Sequence, residues 1–229
     1  RTLSMIQNLE TKTVYNNQAK TAEYAIIWLH GLGADYNDFL PVVDELKLTK
    51  NVKFVFPNAP VIPVTINNGF KMRAWYDILD FSDLHRKADD NGIVQSTQQI
   101  NQIITSLNND GFANDKIIMA GFSQGGVISY YTALNSAKPL AGLLVLSSYL
   151  PNQDLLNKTA MANNAQLPIL ICHGTADPVV SINYAKKACE ILDLAQIKYQ
   201  WQTYPMQHSL CMEEINDIAT WLNSLFANK

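Results

Sequence analysis

Cysteine is scarce. The chain has three in 229 residues, Cys172, Cys189 and Cys211, far apart and without C-x-x-C spacing. That excludes a disulfide framework and a thiolate zinc site, and leaves buried or half-buried thiols suited to a reducing compartment. An excess of basic charge is also missing: 17 Lys plus Arg face 20 Asp plus Glu, with no basic cluster. Without that electrostatic footprint, nucleic acid is excluded as a partner. No apolar run approaches the ~20 residues that a bilayer crossing needs, and the start lacks the basic and apolar leader of a secretory signal. A cytoplasmic location is therefore expected. No repeat or low-complexity linker divides the sequence, so one domain over residues 1–229 is expected, with Arg1–Ser4 ahead of Met5 a candidate cloning remnant. A chain of this length buries roughly 70–75% of the surface its unfolded form exposes, so its core needs neither metal nor disulfide.

What is present is a recurrence of short apolar runs. They cover 24–29, 52–56, 116–120, 141–146, 168–172 and 197–203, and several are apolar on both faces, as central parallel strands are. Helical patterns lie between them. Ile93, Ile100, Ile103, Ile104 and Leu107 recur at helical steps, as do Ile215, Ile218, Ala219, Leu222, Leu225 and Phe226. A helix after Pro178 has Ser181 as its N-cap, with Tyr184, Ala185, Ala188, Ile191 and Leu192 on its apolar stripe. Alternation of this kind predicts an α/β fold with a mostly parallel sheet. The stretch from Pro57 to Asp90 reads as one long irregular excursion carrying Val61, Ile62, Val64, Ile66, Phe70, Trp75 and Tyr76, a candidate substrate-facing flap. About twenty residues separate the strands ending near Ser147 and starting at Pro168, which leaves no room for a large cap domain.

Gly121-Phe122-Ser123-Gln124-Gly125 follows the apolar run 116–120 and precedes a helical pattern from Val127 to Leu134. G-x-S-x-G alone is weak, with on the order of 0.1 chance matches in such a chain. Between a strand and a helix it is the strained elbow that exposes a serine hydroxyl above a sheet. A serine needs a histidine to take its proton and a carboxylate to orient that histidine. In elbow hydrolases the order is Ser, acid, His, and only His173 and His208 follow Ser123. His173 ends an apolar strand, where a structural hydrogen bond is expected; His85, beside Arg86 and Lys87, is expected to be solvated. Choosing His208 leaves Asp177 at the carboxyl end of a strand, the edge where α/β sheets bind ligands. Asp154, in a polar stretch, and Asp193, near a helix end, are the competing carboxylates.

Attack on a carbonyl creates an oxyanion that needs two preorganised donors. The Gln124 backbone N–H, at a helix N-terminus, is one candidate, and the Leu32 N–H in the glycine-flanked loop His30-Gly31-Leu32-Gly33 is the other. The Gly-x-Gly of that loop does not extend to a dinucleotide fingerprint, because position 36 is Tyr36 and no phosphate-binding lysine follows. No nucleotide cofactor is expected.

With 28–33, 56–60, Arg73-Ala74-Trp75-Tyr76-Asp77, 121–126, 173–180 and 207–209 taken together, the sequence resembles the acyl-protein thioesterase and bacterial carboxylesterase family of the α/β-hydrolase fold. The resemblance spans nearly the whole chain. It implies Ser123, Asp177 and His208 as a triad, Leu32 and Gln124 as oxyanion donors, and hydrolysis of fatty acyl esters or thioesters without a cofactor or metal. Acylated protein and lysophospholipid are the substrate candidates; a homodimer, as such enzymes often form, and transient contact with a membrane surface are the partner candidates. Trp75, Tyr76, Tyr149, Val179, Ile62 and Ile66 are the candidate pocket walls. The family's usual Gly-Leu-Gly-Asp is Gly-Leu-Gly-Ala here, with Asp35 one place later, and Tyr149 stands where relatives often carry tryptophan. Two rivals remain at this stage: another triad acyl-transfer enzyme (lysophospholipase, peptidase or acyltransferase), and a non-catalytic binding protein on the same fold.

Overall fold

The computed structural model of the protein describes residues 7–80 and 88–227. His85 and Arg1–Ser4 lie outside them. The apolar runs form strands β2 (Tyr24–Leu29), β3 (Val52–Pro57), β6 (Ile117–Phe122), β7 (Gly142–Leu146), β8 (Ile169–Gly174) and β9 (Gln200–Tyr204). These pair in parallel in the order β3-β2-β6-β7-β8-β9. β1 (Thr11–Tyr15) adds an antiparallel edge beside β3. It was not among the expected strands because it is mostly exposed and carries no apolar run.

Each central strand is buried on both faces, so its alternate side chains feed two separate cores. Ala25, Ile27 and Leu29 pack beneath α2 (Asp90–Asn109), α3 (Gln124–Leu134) and α5 (Ile182–Leu194). Ile26 and Trp28 face α1 (Leu40–Glu45) and α6 (Met212–Ala227) on the other side. Asp89 caps α2 by accepting from the Gly92 N–H, and Ser181 caps α5 as expected, accepting from the Asn183 N–H. The connection from β7 to β8 holds a single 3-10 turn (Gln153–Leu155) and the short helix α4 (Lys158–Asn163), so among the described residues no large cap covers the strand ends. No helix among the described residues is long and apolar enough to cross a membrane.

The excursion after Pro57 is not irregular throughout. β4 (Val61–Val64) and β5 (Phe70–Arg73) form an antiparallel hairpin, from Val61 opposite Arg73 to Val64 opposite Phe70. Asn68 and Gly69 turn it with φ of 55° and 74°. Asn-Gly is favoured there because both residues tolerate left-handed backbone.

Candidate active site

Ser123 joins the end of β6 to the start of α3 with φ 54° and ψ −119°, a backbone conformation that a non-glycine residue adopts at a cost of about 1–3 kcal/mol. Its surroundings over-determine that strain. The Ser123 N–H donates to the Leu146 carbonyl at 2.8 Å, and the Ser148 hydroxyl donates to the Ser123 carbonyl at 2.6 Å. Gly125 permits the tight turn: a β-carbon there would sit 2.5 Å from the Leu29 carbonyl oxygen and 2.6 Å from that of His30.

Asp177 follows β8, and His208 lies in the loop between β9 and α6. His208 Nδ1 meets Asp177 Oδ2 at 2.7 Å, while Asp177 Oδ1 accepts from the Val179 and Val180 N–H groups at 2.9 and 2.8 Å. Burial by itself raises the Asp177 pKa; the His208 hydrogen bond, together with the Val180 and Val179 amides, outweighs burial and leaves it below its ordinary value. The carboxylate therefore stays charged and directs the Nδ1 proton of His208 toward itself, leaving Nε2 free to accept a proton. The His208 ring packs against Phe122, with centroids 4.8 Å apart.

His173 is buried beside this pair, and its Nε2 donates to the Val180 carbonyl at 2.7 Å. Burial lowers its pKa and keeps it neutral. The role is the structural one expected of it. Asp193 accepts from the Tyr199 hydroxyl, and Asp154 is exposed, so neither competing carboxylate reaches His208.

Ser123, His208, Leu32, Gln124, Tyr149 and Val179 line one cavity of about 300 Å³, joined by Ala34, Asp38, Ile78 and Phe122. A second cavity of similar volume, between β1, β3 and α2, contains Thr11, Lys53 and Gln99 but no histidine or cysteine. The sequence reading missed Ile78 and Asp38 as cavity walls. Neither belongs to a motif, and only chain folding brings them to Ser123.

Four expected pocket walls fall elsewhere. Trp75 and Tyr76 are buried beneath the site, because their backbone is bonded to the Gln124 side chain and their rings pack into the core. Tyr76 reaches the cavity only indirectly, through a 2.8 Å hydroxyl contact with Tyr149. Ile62 and Ile66 belong to the hairpin region and do not line the cavity; Ile66 packs on the core instead. Asp35 accepts from the Asn37 N–H at 2.7 Å, which makes it a turn residue.

The Phospholipase/Carboxylesterase family profile matches residues 10–226. The acyl-protein thioesterase 1 of Mycosarcoma maydis is 36% identical over 217 residues, covering 87% of this chain and 90% of that protein. The protein of the same name from Schizosaccharomyces pombe is 36% identical over 195 residues, covering 85% and 86%. Among solved structures, Zea mays acyl-protein thioesterase 2 superposes with a TM-score of 0.81 at 26% identity, covering 94% of this chain and 98% of that one.

Proposed function

The chain belongs to the phospholipase/carboxylesterase family of hydrolases acting on acyl ester and thioester bonds, and from that premise we propose that Ser123, His208 and Asp177 carry the reaction. The observation that carries this reading is the pairing of a strained serine with His208 in one cavity, the histidine being held at 2.7 Å by a buried carboxylate. Ser123 Oγ attacks the acyl carbonyl carbon while His208 Nε2 takes its proton, and Asp177 stabilises the resulting imidazolium. The N–H groups of Leu32 and Gln124 receive the oxyanion. As the tetrahedral intermediate collapses, His208 protonates the departing alcohol or thiol. Water, deprotonated by His208, then attacks the acyl-enzyme and releases the acid.

The acyl chain starts along the apolar wall of Ile78, Tyr149 and Val179, which suits a fatty acyl group. With no large cap over the strand ends among the described residues, the leaving group has room to be large, as in an acylated protein or lysophospholipid. The test is a panel of p-nitrophenyl esters and acyl thioesters, run beside labelling by a fluorophosphonate. Label that appears on Ser123 and is lost with activity in Ser123→Ala supports the reading. Activity persisting in that variant refutes it.

A further inference from the structure

The motif Arg73-Ala74-Trp75-Tyr76-Asp77 stands out in the sequence, yet its aromatic rings do not line the cavity. Its hydrogen bonds run instead to both loops that carry the proposed oxyanion donors. On one side, the Gln124 side chain turns from the cavity into the protein: its Oε1 accepts from the Trp75 N–H at 2.8 Å, and its Nε2 donates to the Tyr76 carbonyl at 2.7 Å. On the other, the Trp75 indole N–H donates to the His30 carbonyl at 2.8 Å, and the Gly33 N–H donates to the Arg73 carbonyl at 2.8 Å. Leu32 therefore sits between two anchors on one segment. The Ser96 hydroxyl on α2 donates to the Trp75 carbonyl, so every polar group of Trp75 is engaged.

His30 completes the arrangement. The Ala59 N–H donates to its Nε2 at 3.0 Å, which makes Nε2 the acceptor and leaves the proton on Nδ1. Nδ1 then donates to the Gly31 carbonyl at 2.7 Å. That carbonyl shares its peptide plane with the Leu32 N–H, and in a trans peptide the two groups point in opposite directions. Fixing one aims the other. Burial lowers the His30 pKa, against the pull of the Gly31 carbonyl, so the neutral form persists.

We infer that residues 73–76 form a buried template that sets the spacing of the two oxyanion donors, joined to one through the Gln124 side-chain amide and to the other through the Trp75 indole, with His30 orienting the Gly31–Leu32 peptide. Gln124 thus has two separable parts: its backbone N–H faces the reacting oxygen, and its side chain positions that N–H. Trp75, His30 and the Gln124 side chain are positioning groups. The inference rests on the oxyanion reading above, and its test separates the two.

Trp75→Phe removes the indole N–H and keeps a ring; Gln124→Met removes the amide and keeps the backbone donor. Each is assayed on a p-nitrophenyl ester and on its thionoester, whose sulfur accepts hydrogen bonds poorly. Near-UV circular dichroism and Tm establish that the variant is folded, and Trp75→Phe decides alone if Gln124→Met does not fold. Removal of a whole oxyanion donor costs about 10²–10³ in kcat, so a displaced donor is expected to cost about 10- to 100-fold. KM should stay within about threefold, and the double variant should lose little more than the worse single one, because the groups act as a unit. The preference for ester over thionoester should shrink in step with kcat. An unchanged kcat, or equal losses on ester and thionoester, overturns the template. If the unsubstituted protein does not prefer the ester, the oxyanion reading falls instead.

Discussion

Ser123 and Asp177 are the residues whose local chemistry is most demanding. Ser123 holds a left-handed φ of 54°, and the nucleophilic role proposed for its hydroxyl depends on that turn being kept. Gly125→Ala would drive a β-carbon into the Leu29 and His30 carbonyls, so it is expected to destabilise the fold by about 1–3 kcal/mol. It should also lower kcat by more than the loss of stability explains; urea unfolding beside ester kinetics checks both. Asp177 keeps His208 in the tautomer with its proton on Nδ1. Asp177→Asn offers an amide donor where a carboxylate accepted, and is expected to lower kcat about 10³- to 10⁴-fold with the fold retained. Ester hydrolysis by the purified, folded variant is the check, and retention of most activity would end the assignment.

At the scale of elements, strand ends and helix starts place the chemistry, and the hairpin stands apart from it. Ile62 and Ile66 do not line the cavity, whereas Ile78 and Val179 do. A buried CH₂ contributes about 0.8 kcal/mol, so activity should rise with acyl chain length wherever the chain meets such a wall. Ile78→Ser and Val179→Ser are expected to flatten the dependence of kcat/KM on chain length while sparing acetyl esters. Ile62→Ser should leave that profile unchanged. Parallel profiles from acetyl to long acyl esters in the three variants decide between the cavity wall and the hairpin as the source of selectivity.

Across the whole molecule, stability is tied to pH by buried titratable groups. Glu214, on α6, is fully buried; among the described residues its carboxyl meets at most a poorly aligned hydrogen bond from the Cys211 backbone, and burial outweighs it and pushes the pKa from 4.5 to about 8. An acid whose folded pKa is raised binds its proton more tightly when folded, so stability falls as pH climbs from 4.5 toward 8. His30 and His173 act in the opposite sense: their pKa values are lowered from 6.5, and they withdraw stability as pH falls below that value. Between pH 6.5 and 8 the loss through Glu214 is therefore unopposed by those two histidines. It is expected at up to about 1.4 kcal/mol per pH unit. Glu214→Gln should flatten that decline, read as Tm against pH, whereas an unchanged slope would show that another group titrates.

The alternation of apolar runs with helical periodicity determined the α/β fold by itself, because a strand buried on both faces must be apolar throughout. The elbow singled out Ser123, and the order of residues after it pointed to Asp177 and His208 as the proposed partners; the structure brings the three to one sheet edge, because strand-end loops there converge whatever lies between them in sequence. Burial on one side of a loop leaves no such trace. Trp75 and Tyr76 have the composition of pocket walls, and only packing against Gln124 and His30 turned them inward, beneath the site. The hairpin carried a local signal in Asn68-Gly69, and β1 carried almost none, since an exposed edge strand needs no apolar run. Cavity walls such as Ile78 and the buried carboxyl of Glu214 were decided by the tertiary structure alone, because which atoms surround a side chain depends on segments distant in the chain.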